Sequence, residues 1–126
     1  QLSGGSAFKK PIFIKLSPNE SKKNLENIVS YSVENGVDGF ILTNTSILHD
    51  YEFSGGVSGA PLKALAEEYL KFVRSIIGPK IPLIGSGGLM TKEDVEDRFK
   101  SSADLIQLYS GFVFHGNDLL QDCLEI

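Results

Sequence analysis

The sequence is short of several things, and each shortage excludes something. Among its 126 residues there is one cysteine, Cys123, so an internal disulfide and a cysteine-built metal cluster are both ruled out. A lone thiol also fits a reducing compartment. Histidine is scarce, and neither His49 nor His115 has a partner at metal-ligand spacing. Both are expected in solvent, with no metal. Positive charge is in deficit: 12 Lys and Arg stand against 16 Asp and Glu, for a net charge of −4 and a pI near 5.1. Nucleic acid is therefore not expected as a partner, because phosphate binding needs a basic face. No apolar run approaches the roughly 20 residues of a membrane helix, and no leader pattern is visible at the start. The first residue is Gln1, not Met, and Leu124-Glu125-Ile126 reads as the interior of a helix. Both ends predict a fragment of a longer barrel domain, here residues 1–126.

What is present is an alternation. Hydrophobic residues make up 41% of the chain and charged residues 22%, a balance that suits one globular domain with a moderate core. Residues 1–10 are polar and glycine-containing, a linker or the tail of a preceding helix. Pro11-Ile12-Phe13-Ile14-Lys15-Leu16 reads as a strand buried on both faces and ends at Ser17-Pro18-Asn19. Asn19 or Ser21 then caps a helix with Leu25, Ile28, Val29, Ser32 and Val33 on one face, and Asn35-Gly36 stops it. The unit recurs. Strands are predicted at 38–44, 81–85 and 104–109, and helices at 62–77, from Thr91 to about Lys100, and after Ser110. Each unit spans roughly 25–40 residues, as a strand–helix crossover does.

Four such units imply parallel strands covered by helices, an α/β protein. A doubly wound sandwich and half of a (β/α)8 barrel both satisfy that pattern. The polar groups favour the barrel, since all four strand ends carry them: Lys15, Thr43-Asn44-Thr45, Ser86-Gly87-Gly88 and Tyr109-Ser110. A barrel gathers groups from every strand end at one mouth, whereas a doubly wound sheet concentrates them at a switch point.

The chemistry at those ends is specific in kind. Lys15 is a lone cation in an apolar run, and must either find an acceptor or reach solvent at the strand end. Beside a reducible heterocycle its ammonium would stabilise negative charge. Asn44 offers both a donor and an acceptor, suited to a planar imide or a carboxylate. Thr43-Asn44-Thr45 has turn-forming as its plainer explanation. The loop Gly55-Gly56-Val57-Ser58-Gly59 permits close backbone approach, and Ala60-Pro61 leads straight into a helix. After the last two strands, the amides of Gly88, Tyr109 and Ser110, with the Ser110 hydroxyl, suit a phosphate at a helix N-terminus. Two ordinary tight turns are the alternative. Asp94, Glu96 and Asp97 read as a solvated helix face. No nucleophile–histidine–acid set is defensible.

With those residues in hand, the chain resembles the C-terminal half of a dihydroorotate dehydrogenase. The resemblance rests on Phe13-Ile14-Lys15-Leu16-Ser17-Pro18, Thr43-Asn44-Thr45, Gly55-Gly56-Val57-Ser58-Gly59-Ala60-Pro61-Leu62-Lys63, Ile84-Gly85-Ser86-Gly87-Gly88 and Gln107-Leu108-Tyr109-Ser110. Their order and spacing agree from about Pro11 onward. The Thr-Asn-Thr, Ser-Gly-x-Pro-Leu-Lys and Gln-Leu-Tyr-Ser forms look like the quinone-dependent, membrane-associated class 2. Leu16-Ser17-Pro18-Asn19 departs towards the soluble class 1.

The resemblance implies an FMN-containing barrel that oxidises dihydroorotate to orotate in pyrimidine synthesis and passes electrons to quinone. It implies Lys15 at the pyrimidine side of the flavin, Thr43 and Gly59 lining the FMN site, and Gly88, Tyr109 and Ser110 on the FMN phosphate. Asn44 and Thr45 would bind the substrate ring. The general base, a serine or a cysteine, belongs to the N-terminal half in this family, as do the helices that admit quinone. Membrane association would come through that half, at the bacterial cell membrane or the mitochondrial inner membrane. The fragment alone would then be inactive. Two other readings compete: a non-catalytic half-barrel that binds a phosphate-bearing ligand, and another phosphate-binding barrel enzyme.

Overall fold

The computed structural model describes residues 10–52 and 54–126. The expected segment 1–10 lies outside the described residues except for Lys10. Four parallel strands alternate with helices: β1 (Phe13–Leu16), α1 (Lys22–Glu34), β2 (Gly39–Leu42), a 3-10 turn (Ala60–Leu62) running into α2 (Lys63–Ile77), β3 (Leu83–Ser86), α3 (Lys92–Lys100), β4 (Leu105–Gln107) and α4 (Ser110–Cys123). The strands lie in sequence order, β1-β2-β3-β4, and each pair is parallel. This is the α/β architecture expected from four strand–helix units.

Local chemistry explains the boundaries. Ser21 caps α1 by accepting from the Asn24 amide at 3.2 Å. Asn19 is not the cap: its Oδ1 accepts from the Ser46 hydroxyl at 2.9 Å and the Ile47 amide at 3.1 Å, tying the loop after β1 to the loop after β2. Pro61 sits in the first turn of the 3-10 segment, where its missing N–H costs nothing. Thr91 and Asp94 form a reciprocal capping box at the start of α3. The last helix closes at Cys123 with Leu124 as its cap.

The core lies between the sheet and its helices. Leu16, Phe40, Leu42 and Leu83 meet Leu25 and Val29 of α1 and Leu70 and Val73 of α2, all buried. The opposite face of the sheet is open: Lys15 is exposed, and so is Leu105. The expectation that the strand at 11–16 is buried on both faces is therefore corrected. Alternate strand residues point to opposite sides, and among the described residues the helices cover one side. That second face is concave. In a flat sheet, three interstrand steps would put β1 and β4 about 14 Å apart. Side chains stand roughly perpendicular to a sheet and on a flat one would not meet across that span, yet Lys15 Nζ donates to Gln107 Oε1 at 3.0 Å, so the sheet curls.

No helix among the described residues is long and apolar enough to cross a membrane.

Candidate functional site

The strand ends converge on one cavity of about 370 Å³. Lys15 reaches it from β1, Thr43, Asn44 and Thr45 from the end of β2, and Ser86, Gly87 and Gly88 from the end of β3. Gln107, Tyr109 and Ser110 close it from β4 and the start of α4, while Ser58, Gly59 and Leu62 form the side next to the 3-10 turn. All eight residues singled out from the sequence as binding residues border this space.

Each is held there by its local structure. Lys15 stands on the concave face with its ammonium bonded to Gln107. The Thr43 amide donates to the Ser86 carbonyl at 2.8 Å and the Asn44 amide to the Leu16 carbonyl at 2.8 Å. Those bonds continue the sheet past β2, so the side chains after it project at a fixed height. Thr43 is 2% exposed, and its Oγ1 has no hydrogen-bond partner among the described residues. A buried hydroxyl without a partner is rare and asks for an explanation. Here it borders the cavity.

The glycine loop returns over the strand end through paired backbone bonds between Ser46 and Val57, at 3.1 and 2.7 Å. Thr45 packs its side chain directly against Gly56. Ser58 and Ser110 share a hydroxyl–hydroxyl bond of 2.7 Å, which links this loop to the N-terminus of α4. His49 does not stand free in solvent: it is half-buried, and its Nε2 meets the Gly55 carbonyl at 2.9 Å. His115 is exposed.

The two turns expected to hold a phosphate are adjacent. Gly88 has φ +75, and a Cβ there would collide with the Lys63 backbone, so its Cα packs against the first turn of α2. Ser110 and Gly111 open α4, where the first amides of a helix have no intrahelical acceptor. Partial positive charge at that terminus suits an anion.

Behind these turns lies a charge cluster that the sequence reading placed in solvent. Asp94 Oδ1 accepts from Lys63 Nζ at 2.5 Å, and its Oδ2 from the amides of Met90 and Thr91 at 2.9 and 3.1 Å. Burial pushes the Asp94 carboxyl up, but the Lys63 bond and the backbone amides outweigh that and hold it below the ordinary value. The bond to Asp94 raises the Lys63 ammonium, against a smaller opposing effect of burial. Asp94 is therefore a structural carboxylate; Glu96 and Asp97 pair with Lys100 on the outside.

Sequence reasoning missed three participants. Gln107 and Ser58 stood in motifs without a role. Arg98 had no role because its helix reads as surface, yet it is 1% exposed. A signal was available: Gly85, inside an apolar strand, leaves room for the Arg98 stem, since a Cβ there would lie 2.6 Å from Arg98 Cγ. Among the described residues no group of three or more His, Cys, Asp or Glu is placed to hold a metal.

Comparison with known proteins identifies the family. The family model described as dihydroorotate dehydrogenase matches residues 4–125. The chain is 35% identical over 123 residues to a dihydroorotate dehydrogenase (quinone) of Dichelobacter nodosus, covering 92% of this chain and 36% of that protein. It is 36% identical over 122 residues to one of Akkermansia muciniphila, covering 91% and 35%. A crystal structure of DHODH in complex with ferulenol from Eimeria tenella superposes with a TM-score of 0.86 at 26% identity, over 93% of this chain and 33% of that one. The chain thus spans about a third of the length of these relatives. With the family model matching nearly every residue, it belongs to the dihydroorotate dehydrogenase family.

Proposed function

We propose that this chain contributes part of the flavin and substrate sites of an FMN-dependent enzyme that oxidises dihydroorotate to orotate in pyrimidine synthesis and passes the electrons to quinone. The observation that carries the reading is the convergence of eight residues from four strand ends on one cavity, with the unpartnered Thr43 hydroxyl at its wall. A ligand rich in hydrogen-bonding groups explains that hydroxyl. An elongated ligand with a phosphate at one end also explains why glycine turns and a helix terminus share a cavity with Lys15, Asn44 and Thr45.

FMN, when bound, supplies an acceptor for the hydride of dihydroorotate. The residues of this chain do the binding and orienting. Lys15 holds positive charge at the edge of the cavity, where an electron-rich ring is stabilised. Thr43 and Gly59 line the flavin, and Thr43 Oγ1 gains a partner. The amides of Gly88, Tyr109 and Ser110 donate to the phosphate. Asn44, exposed at the strand end, presents donor and acceptor to the substrate ring, with Thr45 beside it. No residue here is assigned as the general base. The Ser17 hydroxyl accepts from the backbone and side-chain amides of Asn19, and the Ser110 hydroxyl is engaged with Ser58. Nor is any residue assigned to quinone or to a membrane.

The test is flavin. The full gene product should purify with bound FMN, and dihydroorotate should bleach its visible absorbance. A well-folded product with no flavin and no affinity for added FMN would sink the assignment.

A further inference from the structure

The least expected residue in the molecule is Arg98. Arginine is rarely fully buried, yet this one lies on the inner side of α3 with 1% exposure and donates to three backbone carbonyls. Its Nη1 reaches Ser86 O at 3.3 Å, and its Nη2 reaches Gly87 O at 3.0 Å and Lys63 O at 3.3 Å. A planar fork with several donors can hold three acceptors in fixed directions, which a lysine cannot do equally well. Gly85 leaves the space its stem occupies. Glu67 and Asp94 supply compensating negative charge, so the buried cation is not isolated.

The three carbonyls matter because of what stands on the other side of their peptides. The peptides linking Ser86 to Gly87 and Gly87 to Gly88 are trans. In a trans peptide the N–H points opposite to the C=O. The Ser86 carbonyl also accepts from the Thr43 amide at 2.8 Å, so the Gly87 amide opposite it points along the sheet towards β4, which pairs with Ser86 through Gln107. The Gly87 carbonyl is turned to Arg98, and the Gly88 amide opposite it turns the other way, to the cavity this glycine lines. The Gly88 amide donates to no backbone carbonyl among the turn, loop and cap bonds of the described residues.

We infer that Arg98 is a positioning residue for the anion end of the cavity: its guanidinium locks the Gly87–Gly88 peptide so that the Gly88 amide faces a bound phosphate. Free glycine peptides sample many orientations, and Arg98 removes that freedom before the ligand arrives. The Lys63 carbonyl, bound by the same fork, fixes the first turn of α2 against Gly88. This inference rests on the flavin reading above, and the test separates the two.

Apoprotein of the full gene product is titrated with FMN and with riboflavin, which has the same ring system and lacks the phosphate, by quenching of flavin fluorescence. The wild type should prefer FMN strongly. In Arg98→Gln, FMN affinity should fall by about tenfold or more, the scale of losing aligned bonds to a charged group, while riboflavin affinity stays within about twofold. Arg98→Lys should show a smaller fall in the same ratio. If Arg98→Gln does not fold, as thermal unfolding would reveal, the Arg98→Lys ratio decides. An unchanged FMN-to-riboflavin ratio in the folded variants, or equal weakening of both flavins, overturns the role of Arg98. A wild type that binds neither flavin, or does not distinguish them, overturns the flavin reading and this inference with it.

Discussion

Under the flavin proposal, single atoms at Thr43 and at two glycines of the cavity wall carry testable consequences. A buried hydroxyl with no partner costs about 1–3 kcal/mol, so Thr43→Val, which keeps the shape, should leave thermal stability unchanged or raise it. FMN binding should weaken in the same variant. A Thr43→Val protein that is less stable and binds FMN normally would remove Thr43 from the flavin site. Gly59 and Gly88 make a matched pair because both have positive φ, +74 and +75, but different surroundings. At Gly59 the nearest atoms to an added Cβ are Ser110 Cβ at 3.7 Å and Met90 Sδ at 3.8 Å, ordinary contacts. Gly59→Ala should therefore cost about 1–3 kcal/mol, the penalty for a side chain in the glycine-only backbone region that its φ +74 and ψ −158 occupy. Gly88→Ala meets the Lys63 backbone as well and should cost distinctly more. Urea unfolding midpoints of the two variants test that order.

At the scale of the element, α3 does more than cover the sheet. Its capping box, the Lys63–Asp94 pair and Arg98 join it to α2 and to the turn after β3. Because the folded-state value of Asp94 lies below the ordinary 3.8, its stabilisation is complete above that value and is lost as pH falls through the folded value. Lys63 is raised above 10.5, so its share is complete below 10.5 and is lost as pH rises beyond it. Asp94→Asn should accordingly be less stable than the wild type by a constant margin across neutral pH, the gap narrowing only below about pH 4. A gap that closed between about pH 6 and 8 would show that some other group titrates.

The order of these elements is legible in the sequence because apolar runs such as 81–85 are bounded by glycine, proline and capping residues. Strand ends are legible to within two or three residues, since hydrogen bonding, not polarity, sets them; Thr43 and Asn44 still bond to neighbouring strands after β2 has ended. That the eight residues singled out from the sequence border one cavity is legible because a barrel brings its strand ends to one mouth. Arg98 is not. Within Lys92–Lys100, a segment mostly of charged residues, nothing in the helical pattern separates an arginine that turns inward to backbone carbonyls from those that face water.

At the scale of the whole molecule, the chain has one finished face and one unfinished one. The helices close the outer side. The concave side, the free edges of β1 and β4 and the flank of α4 are uncovered among the described residues. Leu105, Phe112, Val113 and Phe114 are all exposed there. Exposed apolar side chains together with unpaired strand edges are a template for association. The 126-residue chain produced alone should therefore self-associate, its apparent mass in size-exclusion chromatography with light scattering rising with concentration. Phe114→Glu places charge on that surface without touching the cavity and should increase the monomer fraction. A wild-type chain that stays a flavin-free monomer at every concentration would instead favour a self-sufficient half-barrel that binds a phosphate-bearing ligand, because such a molecule must tolerate its own concave face in water.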